Sequence, residues 1–281
     1  MNTLEMTLLI WAGSCLAGFV GALTGLGGGI VIVPLLTLAF HFDIRYAIGA
    51  SLVSVIATSS GAAAAYVKEG YANMRLGILL EIATTAGAVG GAAAAAYLAS
   101  DTVAVTFGLV LLFSAYFSGR RRRPKPEASQ PDRLATLLRL DADYPANGHR
   151  AAYHVRGVPG GFGVMFIAGA ISGLLGIGSG ALKVLAMDQI MRIPFKVSTT
   201  TSNFMIGVTA AASAGVYLNR GYVAPGLAMP VVLGVLPGAL LGTRLLPKAE
   251  TRWLRILFAM VLVFLAVEMI YNGLSGSVGE P

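Results

Sequence analysis

The chain has 281 residues, 56% hydrophobic and 12% charged, with 36 glycines and a formal net charge of +7. Soluble domains carry about 25% charged residues, and of the 20 basic and 13 acidic side chains here, thirteen are confined to residues 119–157. Elsewhere apolar runs follow one another with almost no polar face, which excludes a soluble globular fold of this size and defines an all-α polytopic membrane protein.

Five apolar stretches, at roughly 4–23, 28–40, 46–66, 76–99 and 102–118, are predicted as membrane segments. No basic residue precedes the first, so it reads as a retained span rather than a cleaved leader. It holds Cys15, and a single cysteine excludes a disulfide framework and a thiolate metal cluster. The basic, proline-bearing stretch 119–157 reads as a polar linker, within which Arg133–Leu140 could form a short interfacial helix. Five further apolar stretches follow, at roughly 158–175, 179–191, 197–218, 223–246 and 252–273. The organisation expected is a first transmembrane repeat (1–118), a basic linker (119–157) and a second repeat (158–281).

A constant offset of 151 residues superimposes the halves without a gap: Gly18 meets Gly169, Gly25, Gly27 and Gly29 meet Gly176, Gly178 and Gly180, Ser51 meets Ser202, and Thr58 meets Thr209. Five segments per half put the ends of each half on opposite membrane faces, so the repeats must insert with inverted topology. With the linker inside, 17 of the 20 Lys/Arg fall inside, Arg45 and Arg220 fall outside, and Lys183 lies within a segment. The positive-inside rule therefore places both termini outside and the linker in the cytoplasm. The basic residues sit between spans, so they signal orientation rather than nucleic-acid binding.

Gly25-Leu26-Gly27-Gly28-Gly29 and Gly176-Ile177-Gly178-Ser179-Gly180 each precede an apolar run of about 13 residues, which as a helix reaches only about 20 Å of a 30 Å hydrocarbon core. Each second segment is therefore expected to begin inside the membrane, as a broken or re-entrant helix, where free amides and a positive helix end would attract an anion. The alternative is close helix packing at small residues. On the third segment Ser51, Ser54 and Thr58 share a helical face. Its counterpart opens with the polar run Ser198–Asn203, where an N-cap and interhelical hydrogen bonds suffice for Ser198 and Thr199, while Thr201, Ser202 and Asn203 are candidates for substrate contact together with Ser51. Asp188 is spaced to pair with Arg192. Glu81 and Glu268 each lie near an interface and either reach water or carry a coupling proton. Lys183 has no acidic residue within one helical turn, so its ammonium either meets a bound anion at the second glycine break or snorkels to the outer interface.

His41, His149 and His154 all fall in loops, and no zinc-protease or nucleotide-binding motif occurs, so no enzyme chemistry and no cofactor or metal is expected. The segments GFVGALTGLGGGIVIVPLL and ISGLLGIGSGALKV, within the duplicated ten-segment layout, resemble the TauE/SafE family of membrane transporters. The resemblance spans almost the whole chain outside the linker, although the proline that completes the first motif, Pro34, has Leu185 as its counterpart. It implies a secondary transporter of a small sulfur-containing anion, such as sulfite or an organosulfonate, in the cytoplasmic membrane. The partners implied are that anion and the lipid bilayer, with a homodimer open as the assembly. The competing class is a non-transport membrane protein, either an assembly scaffold or a lipid-modifying enzyme.

Overall fold

The computed structural model describes residues 3–24, 28–68, 72–119, 132–146, 149–245 and 251–276. The protein is nearly all α-helical. The first half runs α1 (Thr3–Thr24), α2 (Gly29–Pro34) continued by a π-helical turn (Leu35–Ala39), α3 (Ile44–Lys68), α4 (Met74–Ala95) and α5 (Ser100–Gly119). The linker carries α6 (Arg133–Leu137) and strands β1 (Ala142–Ala146) and β2 (His149–Tyr153). The second half runs α7 (Val158–Leu175), α8 (Gly180–Leu185) with its π-helical turn (Ala186–Ile190), α9 (Phe195–Asn219), α10 (Pro225–Leu245) and α11 (Thr251–Leu274).

Elements α2 to α5 begin 151 residues before α8 to α11, and α1 ends 151 residues before α7. The packing pairs recur in the same way: α1 lies on α10 as α7 lies on α4, while α3 meets α9 and α5 meets α11. Small residues set these approaches. A Cβ on Gly87 or Gly91 would lie 2.0 Å from the carbonyl oxygen of Phe166 or Ala170, and one on Gly169 or Gly173 would lie 2.0 Å from that of Thr84 or Ala88. Helices α4 and α7 therefore touch backbone to backbone, as apolar helices do where no water drives their association.

Spans within α1 (Leu4–Gly21), α4 (Met74–Ala95), α7 (Val158–Leu175) and α10 (Pro225–Gly242) are long and apolar enough to cross a membrane. Large apolar side chains point away from the bundle, among them Leu16, Ile82 and Phe264, each more than 60% exposed. Such an apolar exterior is suited to lipid.

The linker departs from the all-α expectation. Its short helix falls within the stretch read from the sequence, with Asp132 accepting from the Leu134 amide at 3.3 Å, but β1 and β2 pair antiparallel, Ala142 opposite Tyr153. Apolar groups of this unit, Ala135, Leu140, Tyr153 and Val155, share one buried cluster with Leu76, Leu80 and Met191. Asparagine 73 fastens it: Asn73 Nδ2 donates to the Leu140 carbonyl and to Tyr153 Oη, both at 2.8 Å. A second difference lies at the start of α9. Its first flanking residue is Pro194, without a side-chain cap, and Ser198 and Thr199 instead donate back to the Ile193 and Phe195 carbonyls at 3.3 and 2.9 Å.

Candidate functional site

The second glycine break is well defined. After α7, Gly176 (φ +68°), Gly178 (φ +70°) and Ser179 (φ +45°) take left-handed conformations before α8 starts at Gly180. Glycine is at home there, and a serine is not, so Ser179 marks local strain. In the first break, Gly28 is in the right-handed helical region (φ −66°) and Gly29 opens α2, while Gly25 and Gly27 lie outside the described residues.

The two breaks meet. A Cβ on Gly29 would stand 2.7 Å from Ser51 Oγ and 3.0 Å from the Gly176 carbonyl oxygen. Ser51 Oγ donates to that carbonyl at 2.8 Å, and Ser202 Oγ donates to the Gly180 carbonyl at 3.3 Å. Both serines, proposed from the sequence as substrate contacts, thus secure the carbonyls of the second break. The buried hydroxyls of Ser172 and Ser179 have no hydrogen-bond partner.

One turn beyond Ser179, on the same helical face, Lys183 is fully buried. Its Nζ donates to Thr209 Oγ1 at 2.5 Å, and Thr209 Oγ1 donates to Glu81 Oε1 at 2.6 Å. The Glu81 carboxylate also accepts from Thr84 at 2.9 Å and from Thr85 at 3.1 Å, and only 7% of the residue is exposed. An ammonium from α8 and a carboxylate from α4 are therefore joined through a hydroxyl of α9. For each residue, one of the two alternatives open from the sequence falls away. Lys183 does not snorkel and does not lack a counter-charge, because an acid from the other half of the chain supplies one. Glu81 does not reach water, because three threonine hydroxyls satisfy it in place of solvent. Isolated charges in such surroundings are costly, and an ammonium and a carboxylate joined through one hydroxyl offset part of that cost for each other.

The remaining sequence candidates divide. Thr201 Oγ1 accepts from the Asn73 backbone amide at 3.0 Å, which commits it to the start of α4. Asn203 is half-buried on α9. Glu268 is half-buried on α11, facing Asn272 of its own helix, and α11 packs on α5 rather than on the charged site. Thr84, Thr85 and the bridging role of Thr209 escaped the sequence reading, although Glu81, Thr84 and Thr85 at i, i+3 and i+4 mark one polar helix face.

On the linker side, Asn73 and the docked Tyr153 cover the start of α4. Burial pushes the Tyr153 phenol up to about 12, with Asp141 and Asp143 acting in the same direction against the hydrogen bond from Asn73. At the opposite end of α9, a shallow surface crevice is lined by Arg45, Tyr217, Arg220 and Tyr222 together with alanines at the end of α4. Arg45 Nη2 donates to the Leu98 carbonyl at 2.8 Å. Among the described residues, no group of three or more His, Cys, Asp or Glu is placed to hold a metal.

Apolar spans around a buried, charge-bearing helix break define an integral membrane protein with an internal polar site. The family model for the sulfite exporter TauE/SafE matches residues 10–269, and the chain belongs to that family of membrane transporters. It is 29% identical over 268 residues to the probable membrane transporter protein YunE of Bacillus subtilis (strain 168), covering 92% of this chain and 95% of that one. It is 24% identical over 282 residues to the probable membrane transporter protein MJ0441 of Methanocaldococcus jannaschii, covering 95% and 96%. No solved structure matches the chain.

Proposed function

We propose that the protein is a secondary transporter that carries a small sulfur-containing anion across the cell membrane by alternating access of two inverted five-segment repeats. The carrying observation is Lys183, a fully buried ammonium one turn beyond the second glycine break. The anionic group of the substrate meets Lys183 there, with the unpartnered hydroxyls of Ser172 and Ser179 available to it. Site groups are nearly inaccessible, with Thr209 and Thr84 at 0%, Ser202 at 1% and Glu81 at 7% exposure; this corresponds to an occluded state from which access opens on either side. The linker faces the cytoplasm and both termini face outward. The bias of 17 basic residues to two supports that orientation, as does the division of the ends, with Asn73 on the linker and Arg45 and Arg220 sharing the far crevice.

The test begins with thermal stabilisation of the purified protein by sulfite, thiosulfate, taurine, methanesulfonate and sulfate, since a ligand of the native state raises its apparent stability. Calorimetric titration of the best ligand is then compared between the wild type and Lys183→Met, which keeps most of the stem and removes the charge. Loss of a charge-assisted contact of about 1.5–3 kcal/mol weakens binding roughly 10- to 150-fold. A change of less than about threefold, on the same energy scale, removes Lys183 from the site.

A further inference from the structure

We infer that Glu81 is the resident counter-anion of Lys183, that an incoming substrate anion replaces it, and that Glu81 binds a proton when replaced, so that anion and proton travel together. This rests on the anion site proposed above and adds its coupling ion.

Charge balance in a sealed core carries the argument. Without substrate, the ammonium of Lys183 and the carboxylate of Glu81 cancel through Thr209. A monoanion arriving at Lys183 would leave the site with one net negative charge, and an uncompensated charge within a membrane core is costly. Uptake of one proton from water by Glu81 gives ammonium, anion and neutral carboxyl, and the net charge returns to zero. The occluded site is then uncharged both empty and loaded, the condition for crossing the membrane in either state.

The hydroxyls around Glu81 are arranged to serve both forms of the acid. Thr209 Oγ1 donates to the carboxylate at 2.6 Å but also lies 2.9 Å from the Met205 carbonyl oxygen. Thr84 Oγ1 donates to the carboxylate at 2.9 Å and lies 3.1 Å from the Glu81 carbonyl oxygen. When the carboxyl is protonated, either hydroxyl can turn its hydrogen to the backbone and accept the new O–H instead. No buried polar group is then abandoned in either state.

Lys183 is the cation that reaches this acid. Of the helices packed on α4, α7 has no titratable residue, and α9 carries Lys196 and Tyr217 near its two ends. Tyr153, Asp141 and Asp143 of the linker lie toward Asn73, two turns before Glu81, and Arg75 stands at the start of α4 itself.

The experiment is calorimetric binding of methanesulfonate and 2-hydroxyethanesulfonate, which remain monoanionic at any working pH, to the full-length protein in buffers of different ionisation enthalpy. The wild type is expected to take up about one proton per anion, with affinity falling up to tenfold per pH unit once Glu81 is ionised in the free protein. Glu81→Gln, a mimic of the protonated acid, is expected to bind with no proton uptake and a flat pH dependence. Binding by the wild type without proton uptake overturns the inference, and this measurement needs no variant to fold. Proton uptake that survives in Glu81→Gln removes the role from Glu81. Absence of binding by every anion in the stability screen instead overturns the anion site itself, so the two failures are distinguishable.

Discussion

Two threonines related by the internal repeat, Thr58 and Thr209, occupy the same place in the two halves and have opposite surroundings. Around Thr209 stand Lys183, Glu81, Thr84 and Thr85; at the positions 151 residues away stand Ile32, Val232, Val235 and Leu236. Thr58 Oγ1 bonds within its own helix, to the Ser54 and Val55 carbonyls at 3.1 and 3.2 Å, and Ile32 and Val235 are fully buried in the apolar core. Repeat-related positions thus carry apolar residues around one threonine and a charged network around the other. The fold does not require the charges. A buried pair is commonly no more stabilising than apolar side chains of similar size, so the network at Thr209 has another reason to be there, and recognition of an anion supplies one.

The largest test of the contrast gives the Thr209 site the apolar residues found at the repeat-related positions, Val232 and Ile32. Glu81→Val or Lys183→Ile alone leaves the partner charge buried and is expected to destabilise the protein by about 3–5 kcal/mol. The double variant removes both charges and is expected to recover most of that loss while abolishing anion binding. Denaturant or thermal unfolding of the four proteins in detergent gives the coupling directly. A double variant as unstable as the sum of the singles would mean that the two charges do not compensate each other.

A finer test removes only hydroxyls. Thr209→Val breaks the bridge between ammonium and carboxylate and leaves a donor on Lys183 without its acceptor, for an expected loss of about 1–3 kcal/mol. Thr58→Val removes a hydroxyl that merely back-bonds, and its effect is expected to stay within about 0.5 kcal/mol. Equal losses at the two positions would erase the distinction between the sites.

Much of the architecture could be read from the chain because apolar run length and the glycine, proline and asparagine residues between runs are local signals. The offset of 151 residues, seen at scattered glycines and serines, recurs in the starts of α2 and α8, α3 and α9, α4 and α10, and α5 and α11. The charged site was only half legible. Lys183 stood out as a cation inside an apolar run, but its counter-charge comes from α4 in the other half, and helix-to-helix pairing leaves no mark in sequence spacing. Ser51 looked like a ligand because it is polar in an apolar segment. Its hydroxyl donates to the Gly176 carbonyl, a contact between the two halves that local reasoning cannot supply. The hairpin was missed for a different reason: Asn147-Gly148, a strong two-residue turn signal, lies in a stretch whose charge density reads as linker.

The smallest effect concerns the linker, which breaks the symmetry of the halves a second time. Asn73 precedes α4, accepts from the Leu76 amide at 3.0 Å and holds the linker, whereas the position 151 residues later is Ala224, which has no such side chain. Tyr153→Phe deletes one acceptor of Asn73 Nδ2 and leaves the other, the Leu140 carbonyl, in place, so the expected loss is about 0.5–1.5 kcal/mol. Its signature lies in the pH dependence. Burial pushes the folded Tyr153 phenol up to about 12, against about 10 for an unfolded tyrosine. Below that unfolded value both states are protonated and the contribution to stability is complete. As pH rises from about 10 to 12 the unfolded chain releases a proton that the folded chain keeps, and stability falls. Thermal unfolding at pH 9 and pH 11 is therefore expected to show a smaller alkaline loss in Tyr153→Phe than in the wild type. An identical loss in both proteins would mean that burial does not hold the tyrosine neutral in the folded state.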